Sequence, residues 1–189
     1  MRLLFIAPGY YPRIGGVEYL AKSVAERLVK TGHDVTVLAG EPNTDRPFEE
    51  EINRVKVIRC PVWSPGNAYH YPRRGSELKK LLKGFARNYD VVHIHSVHSI
   101  LSVRSLNIVR DLSTKIVVTP HYHGAGHTTL RKLLWIPWRH IVTTMLSKAH
   151  VIHAVSTRES SLIAKHYPHV KERIVVIPNG VDKDVYNYR

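Results

Sequence analysis

The apolar run Arg2-Leu3-Leu4-Phe5-Ile6-Ala7 breaks at Pro8-Gly9. After Gly15-Gly16 it gives way to Val17, Leu20, Ala21, Val24, Ala25 and Leu28 at helical spacing, with Gly32 as the stop. A strand that passes through a glycine-bearing turn into a helix is the first unit of a parallel α/β sheet, and ligands meet such sheets at these turns. Adjacent glycines let backbone approach a ligand with no Cβ in the way, and the free N–H groups and positive end of the following helix suit an anionic or polyol group. A tight turn that only needed glycine would read the same way.

Strand-length apolar runs recur at residues 3–7, 34–39, 55–59, 91–95, 115–119, 151–155 and 174–177, mostly separated by amphipathic stretches. This pattern predicts an α/β fold: a Rossmann-like, doubly wound parallel sheet of about seven strands with helices on both faces. Residues 40–54 and 61–75, polar and rich in Pro, Gly, Asn and Tyr between them, read as long surface loops, the second of them mobile. Residues 76–88 form an amphipathic helix with Leu78, Leu81, Leu82 and Phe85 on one stripe and Lys79, Lys80, Lys83 and Arg87 elsewhere. Further helices are expected over 97–112, over 127–148 with an interruption at Pro137, and over 156–166 behind a cap at Ser156 or Thr157.

The 189 residues, 43% of them apolar, suffice for one cored domain. The single cysteine, Cys60, excludes an intramolecular disulfide and a cysteine-paired metal site, and fits a reducing compartment. No window approaches the roughly 18 apolar residues of a bilayer span, and no signal cleavage site follows the first strand, so the expectation is cytoplasmic, or peripheral at the inner face of the membrane. With 28 Lys and Arg against 15 Asp and Glu, the net charge of +13 attracts phosphates, nucleic acid or anionic lipid without choosing among them. Trp135, Ile136 and Trp138 beside Arg131, Lys132, Arg139 and His140 suit a membrane interface, and equally a buried helix with a cationic outer face.

Thirteen histidines are present, several of them grouped. His93 and His95 share one strand face by the period of two, and His95 stands at the strand's carboxyl end. His121, His123 and His127 leave the next strand through Pro120, so both groups and the glycine pair converge on one cleft. Clustered imidazoles could chelate zinc, but no carboxylate stands at ligand-like spacing. No G-x-x-x-x-G-K-[ST] occurs, which excludes a P-loop. The first turn is not G-x-G-x-x-G either, and Glu41 is a weak ribose-binding candidate, so a nicotinamide dehydrogenase is disfavoured.

Five ordered motifs, Pro12-Arg13-Ile14-Gly15-Gly16-Val17-Glu18, Asp90-Val91-Val92-His93-Ile94-His95, Val118-Thr119-Pro120-His121, Val155-Ser156-Thr157 and Val176-Ile177-Pro178-Asn179-Gly180-Val181-Asp182, resemble the N-terminal half of family 4 glycosyltransferases. The resemblance implies one half of a GT-B fold, with residues 1–177 as a Rossmann-like acceptor domain and 178–189 as the start of an interdomain linker. The chain stops at Arg189, before the family's C-terminal donor domain with its basic pair and E-x7-E pair, so the domain by itself is expected to be inactive. The Glu18 and Glu26 spacing is a coincidence on the first helix. The resemblance further implies retaining transfer from a nucleotide-sugar donor (a UDP- or GDP-sugar) to a saccharide or lipid-linked acceptor, with no cofactor and no metal. Carried over by position, Gly15 and Gly16 resemble the loop that approaches the donor, and His121 is similar to the histidine beside the reacting centre. Glu18, His95, His123 and Ser156 are further binding candidates. Partners implied are the nucleotide sugar, the acceptor, the missing second domain and an anionic membrane surface, and nucleic acid is disfavoured. The readings from other classes are a stand-alone basic module for anionic lipid or nucleic acid, and a histidine-rich metal hydrolase.

Overall fold

The computed structural model describes residues 1–112, 114–124 and 129–180, except for the side chains of 129–134. In chain order the elements are β1 (Arg2–Ala7), α1 (Gly16–Lys30), β2 (Asp34–Glu41), β3 (Phe48–Ile52), β4 (Val55–Trp63), β5 (Tyr71–Pro72) and α2 (Gly75–Phe85). They continue with β6 (Val91–His95), α3 (Ile100–Val109), β7 (Lys115–Thr119), α4 (Thr129–Lys148), β8 (Val151–Ala154), α5 (Thr157–His166) and β9 (Ile174–Val176). The sheet runs β3-β4-β2-β1-β6-β7-β8-β9, with β5 paired to β4. All neighbours are parallel except β3 and β5, which run antiparallel to β4.

Alternation along β1 divides the core in two. Leu4 and Ile6 join Leu78, Leu82, Leu101, Leu106, Val142, Met145 and Ile163, so α2, α3, α4 and α5 cover that face. Phe5 and Ala7 join Val35, Val37, Val57, Ala21 and Ala25, so α1 covers the other. Helices therefore lie on both faces, as the periodicity predicts, but four to one. On the α1 side the strands β6, β7 and β8 carry His93, His95, Thr119 and His153 where the opposite side carries Val92, Ile94, Val118 and Ile152. That polar stretch begins where β1 and β6 lie side by side and the strand order changes direction, the place where open α/β sheets bind ligands.

Four sequence expectations are corrected. Residues 40–54 are not one loop: the acidic run Phe48-Glu49-Glu50-Glu51-Ile52 is the edge strand β3, held by Lys56–Glu49 at 2.7 Å and Arg59–Glu50 at 2.6 Å. Residues 61–75 hold the end of β4 and the short β5, and the Tyr69 and His70 carbonyls accept the first free N–H groups of α3, from Ile100 at 2.7 Å and Leu101 at 3.0 Å. Helix α4 runs unbroken through Pro137. The strand count among the described residues is nine. Gly32 does end α1, in the left-handed conformation at φ 87°. Of the two offered caps, Ser156 opens α5, its Oγ accepting the Glu159 N–H at 3.1 Å. His127 and most of the proposed linker, 181–189, lie outside the described residues.

Candidate functional site

The loop between β1 and α1 is held from beneath. Arg59, on β4 and only 2% exposed, donates from Nη1 to the Tyr10 carbonyl at 3.2 Å and from Nη2 to the Tyr11 carbonyl, and its Nε meets Glu50. The Tyr11–Pro12 peptide in this loop is cis. At Gly15 the backbone is fully extended, and a Cβ would fall 2.2 Å from the carboxylate of Glu18. Glu18 thus folds back over the glycine turn. Gly16 differs: a Cβ there would meet nothing within 4 Å, so nothing in the described protein requires its absence.

The histidines form a layered stack. The rings of His93 and His95 lie 4.3 Å apart, and those of His95 and His121 lie 5.8 Å apart. Phe5 packs edge-on to His93 at 5.1 Å. His153 bonds the Ile177 carbonyl through Nε2 at 2.8 Å and the Thr119 hydroxyl through Nδ1 at 2.9 Å, and the same hydroxyl meets His93 Nε2 at 2.7 Å. This chain of bonds links His93 to His153 through Thr119. Among the described residues it leaves His95, 1% exposed, with neither ring nitrogen partnered, and His121 with Nε2 unpartnered.

Burial, reinforced by neighbouring imidazoles, lowers His93 to about 3, His121 and His98 to about 4, and His95 well below its ordinary value. His70 is lowered to about 4 by burial and the nearby Arg13. These rings are neutral at pH 7. A neutral imidazole offers one N–H and one lone pair, the complement of a hydroxyl group, and gives no charge to a phosphate.

His121 lies in the left-handed region at φ 51° and Ser96, just after β6, at φ 68°, so both loops that leave the carboxyl edge start on strained backbone. Beside them opens a cleft of about 440 Å³ lined by His121, Tyr122, His123, Val155, Ser156, Arg158, Glu159 and Leu162. The structure therefore gathers His121, His123 and Ser156 at one cleft with His95 stacked behind, while Gly15, Gly16 and Glu18 stand at the start of α1 and do not line it. His123 is exposed and stacks on His98 at 6.1 Å. Among the described residues no group of three or more His, Cys, Asp or Glu is arranged to hold a metal ion.

Two residues absent from the sequence reading emerge. Arg59 had a signal, a lone cation within the otherwise apolar Val57-Ile58-Arg59-Cys60-Pro61-Val62. Glu159 had another, the S-x-x-E spacing from Ser156. Of the two readings of the tryptophan segment, the buried helix holds for the rings: Trp135 is buried, its ring 4.9 Å from that of His98, and Trp138 donates to the Val97 carbonyl at 2.9 Å. Ile136, Arg139 and His140 stay exposed, and no helix among the described residues is long and apolar enough to cross a membrane.

The chain is 25% identical over 190 residues to the GDP-mannose:cellobiosyl-diphosphopolyprenol alpha-mannosyltransferase of Xanthomonas oryzae, covering 98% of this chain and 48% of that protein. A glycosyltransferase of Methanocaldococcus jannaschii is 35% identical over 98 residues, 50% of this chain and 25% of that protein. The chain thus spans about half the length or less of these relatives. Among solved structures, sucrose-phosphate synthase of Thermosynechococcus elongatus superposes with a TM-score of 0.69 at 16% identity, over 98% of this chain and 50% of that one. The catalytic domain of starch synthase IV of Arabidopsis thaliana, bound to ADP and acarbose, gives 0.66 at 15% identity, over 98% and 52%. These two share the fold, one Rossmann-like half of the GT-B architecture. Residues 14–185 match Glycosyltransferase Family 4, which displaces the readings as a stand-alone binding module or a metal hydrolase, and the chain belongs to that family.

Proposed function

We propose that this chain is the acceptor-side domain of a retaining glycosyltransferase that moves a sugar from a nucleotide-activated donor to a saccharide or lipid-linked acceptor. One observation carries the reading: buried imidazole edges of His95 and His121, neutral and unpartnered, stand at the carboxyl edge of the sheet where its order reverses. Buried polar groups are ordinarily satisfied, so such a concentration marks where a polyhydroxylated ligand completes the hydrogen bonds. Lowered to about 4, His121 is a poor base at neutral pH. Its role is then to hydrogen-bond the donor sugar and support charge developing in the transition state. Gly16 leaves open the space through which the donor approaches, and Gly15 lets Glu18 fold across the turn. His123 and Ser156 line the acceptor side. Retention and independence from metal are carried over from the family resemblance, and the Xanthomonas relative makes GDP-mannose the first donor to try and a diphosphate-linked lipid the first acceptor.

Ligand-observed NMR against GDP- and UDP-sugars, with a radiolabel assay for transfer, tests this. Binding of a sugar ligand without turnover by the 189-residue chain is the expected result. Tight RNA binding with no sugar bound would overturn it.

A lipid-linked acceptor calls for a surface that meets the bilayer. Lys79, Lys80 and Lys83 are exposed on α2 and Arg87 just after it, and Trp63, Tyr69 and Tyr71 are exposed just before it, at 59%, 43% and 40%. We expect co-sedimentation with anionic but not neutral vesicles, lost on changing the three lysines together to Glu. Indifference of the wild-type chain to anionic vesicles at low salt would leave a soluble acceptor and no membrane partner.

A further inference from the structure

Glu159 is a carboxylate sealed into the protein, 4% exposed, at a place where a helix opening alone would not require it. Ser156 already caps α5 by accepting the Glu159 N–H. In an S-x-x-E capping box the glutamate reaches back to the amide of the cap residue. Here it reaches elsewhere: Oε1 accepts the Tyr122 N–H at 2.6 Å and Oε2 accepts the Val155 N–H at 2.8 Å. One carboxylate thus ties the loop after β7 to the end of β8. Both bonds are charge-assisted, and the shorter one anchors the residue that follows His121.

On its other side His121 is anchored through Pro120, whose carbonyl accepts the Val97 N–H at 3.0 Å. The Tyr122 ring is wedged between Trp135 and Tyr167, at 5.9 and 5.6 Å, and its hydroxyl donates to the Gly124 carbonyl at 2.9 Å. Between those anchors His121 holds φ 51°. A residue other than glycine keeps that conformation only where its surroundings over-determine it. Without the carboxylate, the Tyr122 amide would be buried with no acceptor and the loop would have reason to relax.

We propose that Glu159 is the positioning residue of the site, its carboxylate bridging the Tyr122 and Val155 amides so that the His121 backbone stays left-handed and its imidazole stays on the cleft. The clamp acts through His121, since both carboxylate oxygens are engaged by backbone amides. Its consequence for ligands rests on the sugar-binding reading above, but the clamp can be measured without a ligand.

Glu159→Gln is the incisive change, because it keeps size and shape while replacing one acceptor oxygen with an NH₂ that faces an N–H. NMR of the folded chain should show the Tyr122 amide proton moving upfield and losing exchange protection, and the His121 titration rising from about 4 toward its ordinary value as water reaches the ring. Affinity for a sugar ligand should fall about tenfold or more, since misplacement of a positioned group is costly. A helix cap alone would lower the melting temperature and leave the His121 titration where it is. Glu159→Asp gives a second reading if the Gln variant does not fold, since it retains the carboxylate but withdraws it from Tyr122, and the same rise at His121 is expected. A folded variant in which the Tyr122 amide and the His121 titration both match wild type overturns the clamp. If His121 shifts as expected while even wild type binds no sugar, the clamp stands and the sugar-binding reading falls.

Discussion

At the residue scale the most telling position is Gly16. Gly15 owes its lack of a side chain to Glu18, and a substitution there meets the movable end of a flexible side chain. At Gly16 there is open space, and valine is no worse than glycine as a helix former. We therefore expect Gly16→Val to leave urea stability within about 0.5 kcal/mol of wild type while sugar affinity collapses. Equal losses in both would make Gly16 a folding residue. The place of His121 and the glycine pair, each just after a strand at the carboxyl edge of the sheet, was legible because Pro120 and Pro8-Gly9 end those strands. Glu159 was not, since the same S-x-x-E spacing serves an ordinary capping box, and only tertiary contact reveals that its oxygens go to Tyr122 and Val155.

At the scale of elements, the strands with aliphatic runs could be read directly because a parallel strand buried on both faces has to be apolar. Strand β3 could not. Glu49, Glu50 and Glu51 in succession hide its alternation, and the strand is stable because it is an antiparallel edge whose carboxylates find Lys56 and Arg59 on β4. That pairing reaches the site, since Arg59 passes from Glu50 to the carbonyls of Tyr10 and Tyr11 and so sets the loop ahead of Gly15. Arg59→Met should cost about 2–3 kcal/mol in urea unfolding, because the buried Tyr10 carbonyl and the part-buried Tyr11 carbonyl lose their donor while Glu50, 37% exposed, regains water. A loss below about 0.5 kcal/mol would mean that the loop holds itself. Pro137 misled in the opposite direction: its propensity predicts a break, and packing of Trp135, Trp138 and Val142 carries α4 through it.

At the scale of the whole molecule, a row of buried neutral histidines makes stability depend on pH. His70, His93, His95, His98 and His121 all have folded values below 6.5, with burial the first cause in each. The unfolded chain therefore binds more protons as the medium is acidified. Their contribution is fully present above pH 6.5 and is lost as the pH falls toward 4, by about 1.4 kcal/mol for each tenfold difference in proton affinity. Thermal unfolding followed from pH 7.5 to 4 should show a steep fall below 6.5, and a flat profile would mean that the rings are wet. The same burial that keeps these rings neutral suits them to hydroxyl groups rather than phosphates, which is the central claim. Imidazole-detected NMR of the 189-residue chain, titrated with GDP-mannose and other nucleotide sugars, then with saccharides, tests that claim most directly. The account predicts saturable shifts of the His95 and His121 signals with a sugar ligand, absent in Gly16→Val when the ligand is the donor. Signals of both histidines that ignore every sugar yet move with inorganic phosphate or zinc would contradict it.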